Sequence, residues 1–160
     1  MTSSEEAGLI DEETALSNRP LVRRHLLIGW WSLLLFLSLG LALEAMNGLK
    51  LGWYVNVPNH TRQIMWTLAH AHGTILAIVH VAFAVTLSIT GLATAPRLQT
   101  ASSCLTLAIV CLPGGFFLGG LFFWGGDPGL GILFVPIGGL LLLAAVLTTA
   151  RELRAAGSYT

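Results

Sequence analysis

The stretch IMWTLAHAHGTILAIVHVAFAVTLSI, Ile64 to Ile89, decides the fold, because no formally charged residue falls between Arg62 and Arg97. About 20 apolar residues at 1.5 Å per residue cross the ~30 Å hydrocarbon core of a bilayer. This stretch is long enough, and three more share its character: Leu26 to Leu43, Ser102 to Trp124 and Leu130 to Thr149. Across the chain 54% of residues are hydrophobic and 10% charged, with a mean hydropathy of +0.76. A soluble domain of this size would not carry such a surface. The expected fold is all-α, an integral membrane four-helix bundle.

Arg23 and Arg24 before the first apolar block imitate a signal peptide, but the late start and acidic leader argue against cleavage. Arg19, Arg23, Arg24, Arg97, Arg151 and Arg154 fall on one side of the four spans, and Lys50 and Arg62 on the other. The excess of basic residues on the first side predicts a multi-pass protein with both termini cytoplasmic. Residues 1–18, with Glu5, Glu6, Asp11, Glu12 and Glu13, read as a disordered acidic tail; 19–154 form one transmembrane domain and 155–160 a short C-terminal tail. The net charge is zero, which excludes nucleic acid as a partner and leaves the lipid bilayer and small apolar molecules.

Between the spans, the loop from Glu44 to Gln63 holds Trp53 and Tyr54, aromatics suited either to anchoring at the interface or to covering a pocket. Asn59-His60-Thr61 fits the glycan acceptor pattern. Gly114, Gly115, Gly119 and Gly120 in the third span suit close helix packing, with room for a flat cofactor as the other use. Trp124 to Gly129 reads as a turn, and Pro136 with Gly138-Gly139 should kink or thin the fourth helix. Cys104 and Cys111 lie seven apart, about 10 Å along a helix, too far for a disulfide and best read as apolar core. Phosphate-binding loops, Gly-x-Ser-x-Gly elbows, Cys-x-x-Cys pairs and paired intramembrane carboxylates are absent from the sequence.

The chemistry must therefore rest on His70, His72 and His80, since ionisable groups at membrane depth mark function. At about 100° per residue His70 and His72 point roughly 200° apart and cannot share a metal. His80 lies ~12 to 15 Å further along the axis. One histidine per cofactor suits haem, whose porphyrin supplies the other four nitrogens, and suits zinc badly. The alternative for each ring is a hydrogen bond between helices. His72 and His80 are the polar candidates for catalysis beside an iron-binding His70.

Trp66-Thr67-Leu68-Ala69-His70-Ala71-His72-Gly73, entering an apolar helix, resembles the small four-helix membrane isomerases, styrene oxide isomerase and hydroxylaminobenzene mutase. The likeness extends to the aromatic first loop, the Gly-rich third helix and Gly126-Asp127-Pro128-Gly129 before a helix containing Pro136. It implies haem b bound through His70, ferric iron acting as a Lewis acid, rearrangement of a small apolar epoxide or hydroxylamine, and a homo-oligomer, a trimer in the epoxide enzyme. The family's Asn six or seven residues after the histidine is replaced here by Leu76 and Ala77, and its third-helix tyrosine has no counterpart in Leu121-Phe122-Phe123-Trp124. The rival readings are a haem-bearing electron-transfer or quinone-site subunit and a non-enzymatic membrane assembly protein.

Overall fold

A computed structural model describes the backbone of residues 3–55 and 60–157, and the side chains of residues 20–55, 60–93 and 95–156. Four long helices run in chain order: α1 (Ser3–Gly48), α2 (Thr61–Thr90), α3 (Pro96–Leu121) and α4 (Phe134–Gly157). Each is long and apolar enough to cross a membrane, over Pro20–Gly48, Thr61–Thr90, Pro96–Leu121 and Leu130–Ala156. The protein is an all-α four-helix bundle of membrane-spanning character. Its spans are a turn or more longer than hydropathy suggests at several ends, because a helix continues until its backbone is stopped rather than until its side chains turn polar.

Those stops are legible residue by residue. At the end of α1, Lys50 adopts φ 51°, Lys50 N–H bonds Asn47 C=O (3.1 Å) and Leu51 N–H bonds Met46 C=O (3.0 Å). This is a Schellman cap with lysine in the left-handed position usually given to glycine. Gly91 takes that conformation at the end of α2 (φ 67°) and returns its N–H to Leu87. Ala95 is extended before Pro96, which opens α3 at a position where its missing N–H removes nothing. The expected turn at Trp124 is a tight hairpin: Trp124 and Asp127 exchange both backbone bonds (3.2 and 2.9 Å) across Gly125 and Gly126, whose φ values are 59° and 100°.

Two expectations change. Pro136 falls in the first turn of α4, where a helix tolerates proline, rather than in its interior, where proline kinks. A short 3₁₀ turn, Leu130–Leu133, precedes it and takes up the entry. The acidic leader read as disordered lies on helical backbone from Ser3 onward, in a segment with several Glu, Ala and Leu, good helix formers, and no proline before Pro20. Its side chains, and the glycan acceptor Asn59, lie outside the described residues.

The helices pack as neighbours in a row: α1 on α2, α2 on α3, α3 on α4, with no backbone approach between α1 and α3 or between α1 and α4 among the described residues. Glycines set the closest approaches. Added side chains at Gly29, Gly40 and Gly73 would meet Val81, His70 and Phe36 at the α1/α2 contact, and at Gly138 would meet the backbone of Leu112 at the α3/α4 contact. The apolar core threads these contacts through Leu76, Phe83, Leu98, Leu105 and Leu112. Cys104 and Cys111 are free and half-buried. The outer helices pack on one side only, so Trp30, Trp31 and Leu41 of α1 and Leu140 and Leu143 of α4 remain more than half exposed, as lipid-facing residues are.

Candidate functional site

Because the backbones of α1 and α3 stay apart, a groove of about 630 Å³ opens between them over α2. Ala69 floors it, Gly114 leaves it open on α3, and Phe36, Leu39 and Phe117 supply apolar walls. Ser32 and Thr106 bring the hydroxyls to this lining. An apolar volume of this size with a few polar groups is the usual form of a small-molecule site.

The loop side of the groove is closed by aromatics. Leu39 and Phe117, which line it, also pack against a buried cluster of Leu43, Tyr54 and Trp66. Trp66 stacks on Phe117 (5.1 Å, 10°) and on Tyr54 (6.1 Å), and donates Nε1–H to the Phe117 carbonyl (3.1 Å). The Arg62 guanidinium lies over Trp53, Trp66 and Phe123 at 5.0 to 5.8 Å and bonds the Trp53 carbonyl (2.7 Å). Tyr54 is only 2% exposed while Trp53 is 55% exposed. The two loop aromatics thus divide the roles that either reading gave to both: Tyr54 covers and Trp53 faces outward. Burial pushes the Tyr54 phenol above the ordinary tyrosine range, with Thr67 acting against the shift and Glu44 adding to it.

At the other end stands a polar cluster that three helices assemble. His25 of α1 and His80 of α2 are fully buried, and Ser102 of α3 is 1% exposed. His25 Nδ1 lies 2.8 Å from His80 Nδ1, His25 Nε2 lies 2.7 Å from Ser102 Oγ, and His80 Nε2 lies 3.3 Å from the Leu105 carbonyl. A carbonyl only accepts, so with neutral rings one arrangement satisfies all three contacts. His80 donates Nε2–H to Leu105, His25 donates Nδ1–H to His80, and Ser102 donates its hydroxyl to His25. The edge of Phe83 closes over His25 (4.7 Å).

The remaining histidines separate as helical geometry requires. His70 faces α1 and donates Nδ1–H to the Phe36 carbonyl (2.7 Å), in space that Gly40 leaves for its ring. His72 faces α3, where its ring meets Phe116 (4.9 Å), and donates Nδ1–H to Leu68 one turn back (2.9 Å). His80 is occupied at both nitrogens in the polar cluster, about 15 Å along the axis from His70. The three candidates therefore occupy three places and do not converge. The sequence reading passed over His25, which stands one residue before the first apolar block; its signal was an imidazole within a helix that continues to Gly48. Ser102 carried none, since intramembrane hydroxyls commonly bond back to their own helix, as Thr106 does to Ser102 C=O (2.8 Å).

No group of three or more His, Cys, Asp or Glu side chains gathers among the described residues. A site for which the protein must supply three or four ligands does not fit these residues. Compared with protein-family models, with curated proteins and with solved structures, the chain matches none.

Proposed function

We propose that this chain is a membrane haem b protein of the isomerase type, in which His70 would hold the haem and a small apolar epoxide or hydroxylamine would be rearranged. The observation that carries the reading is the bond from His70 Nδ1–H to the Phe36 carbonyl. It holds the ring as the Nδ1–H tautomer, with an unprotonated Nε2 beside Gly40, the tautomer in which ligating histidines are usually found. Ferric haem bound there supplies a Lewis acid toward a substrate oxygen.

The chain's own contributions follow from the groove. Substrate partitions from the bilayer into an apolar channel, Ser32 presents a hydroxyl toward its oxygen, and the Tyr54–Trp66–Phe117 stack keeps water from one end. Phe36 joins the two places, lining the groove with its ring and holding His70 with its carbonyl. His72 keeps its Nε2 as a further polar group near the α2/α3 contact. The one-sided packing of α1 and α4 leaves apolar surface for lipid and for copies of the chain, in keeping with a homo-oligomer, a trimer in this reading.

The test is the absorption spectrum of detergent-purified protein, oxidised and dithionite-reduced, beside His70→Ala. A Soret band in the wild type and its loss in the variant are expected. Failure of the folded wild type to take up added haem, or an identical spectrum in the variant, overturns the proposal.

A further inference from the structure

The Ser102–His25–His80 cluster has the geometry of an activated nucleophile. Such sites are recognised by roles and distances rather than by chain order or fold: a hydroxyl within hydrogen-bond reach of a base, and a base oriented by a third group. Ser102 Oγ is 2.7 Å from His25 Nε2, and His25 Nδ1 is 2.8 Å from His80 Nδ1. The Leu105 carbonyl fixes the sequence of donors from the far end. It forces His80 to present a lone pair, which forces His25 to carry its proton on Nδ1, which leaves His25 Nε2 as the acceptor facing Ser102.

We propose that Ser102 is a nucleophile with His25 as its general base and His80 as the positioning residue, acting on small carboxylic esters that enter from the α1–α3 groove. The groove begins one helical turn away on the same two helices, at Ile28 and Thr106. At that end of the groove Arg24 meets the Thr106 hydroxyl, one turn from Ser102, in a contact that is long at 3.4 Å and exposed. Opening that contact admits the ester and leaves a guanidinium beside the carbonyl oxygen as it gains negative charge. Ser102 Oγ bonds to the carbonyl carbon and its proton passes to His25 Nε2. The carbon–alkoxide bond then breaks, and the alkoxide leaves with that proton as the free alcohol. Water repeats the sequence on the acyl-serine and releases the acid, so ester and water yield acid and alcohol. His80 touches no reacting atom; it holds His25 in the tautomer that can accept.

The probe is diisopropyl fluorophosphate on the full chain in nanodiscs, read by intact mass and peptide mapping. Attack forms an Oγ–P bond, breaks P–F and releases the proton with fluoride. The expected result is one diisopropylphosphoryl group on Ser102, none on Ser102→Ala, and a labelling rate lower by on the order of 10² or more in His25→Gln, the range a general base supplies. His80→Asn, whose side-chain oxygen can still accept from His25 Nδ1–H, should label faster than His80→Leu. Thermal unfolding of each protein separates a lost reaction from a lost fold. A folded wild type that stays unlabelled overturns the proposal, as does labelling of Ser102 at a rate that His25→Gln does not change. Neither outcome touches the haem reading, whose spectrum depends on His70.

Discussion

Gly40 stands where any larger side chain would occupy the ring of His70. With the methyl of alanine there, the imidazole must leave the Phe36 carbonyl or α1 must move from α2. Overpacking of this kind costs about 1–3 kcal/mol. Gly40→Ala should therefore lower the unfolding midpoint in detergent and also move the His70 ¹⁵N shifts away from the Nδ1–H tautomer. A variant with wild-type stability and unchanged shifts would show that the ring has other room. At this same scale the sequence was informative about His70 and His72, because two residues two apart on a helix must diverge whatever surrounds them. It was silent about the partner of His80, which is separated from His25 by 55 residues.

Adjacent glycines on α4 separate propensity from packing at the scale of the element. A side chain on Gly138 would meet the backbone of Leu112, which cannot rotate away, whereas Gly139 has nothing within 4 Å. Gly138→Ala should cost about 1–3 kcal/mol by prising α4 from α3. Gly139→Ala should be neutral or stabilising by up to ~1 kcal/mol, since alanine is the better helix former. Chemical denaturation of the two variants side by side checks the pair, and equal effects would mean that α3 and α4 do not pack at Leu112. The sequence marked Gly138-Gly139 as a place where the helix thins; which of the two faces a neighbour depends on the rotation of α4 about its axis, and hydropathy does not report that when both sides are apolar.

For the molecule as a whole, packing in a row rather than in a closed ring creates the groove between α1 and α3. Its occupancy is testable at Gly114, which lines it and whose added side chain meets nothing within 4 Å. Gly114→Leu should fill the groove while leaving stability within about 0.5 kcal/mol of wild type, as for changes that disturb no packed neighbour. Saturable binding of an apolar fluorophore such as pyrene to the wild type, lost in the variant, is the expected result. Retention of binding would place the apolar site elsewhere.

Four spans and their order were determined by the sequence alone, because transfer of a side chain into hydrocarbon is a property of that side chain and sums along the chain without knowledge of the fold. The turn at Gly125-Gly126 was equally local. Only the tertiary structure decided that Tyr54 is buried while Trp53 is not, that Pro136 lands in a first turn, and that His25, His80 and Ser102 meet. In a membrane the outside of a helix is as apolar as its inside, so no polar face announces which side is packed. The rotation and depth of each helix are set by glycines that let backbones approach and by the few polar groups that must find one another, and those relations exist only between helices.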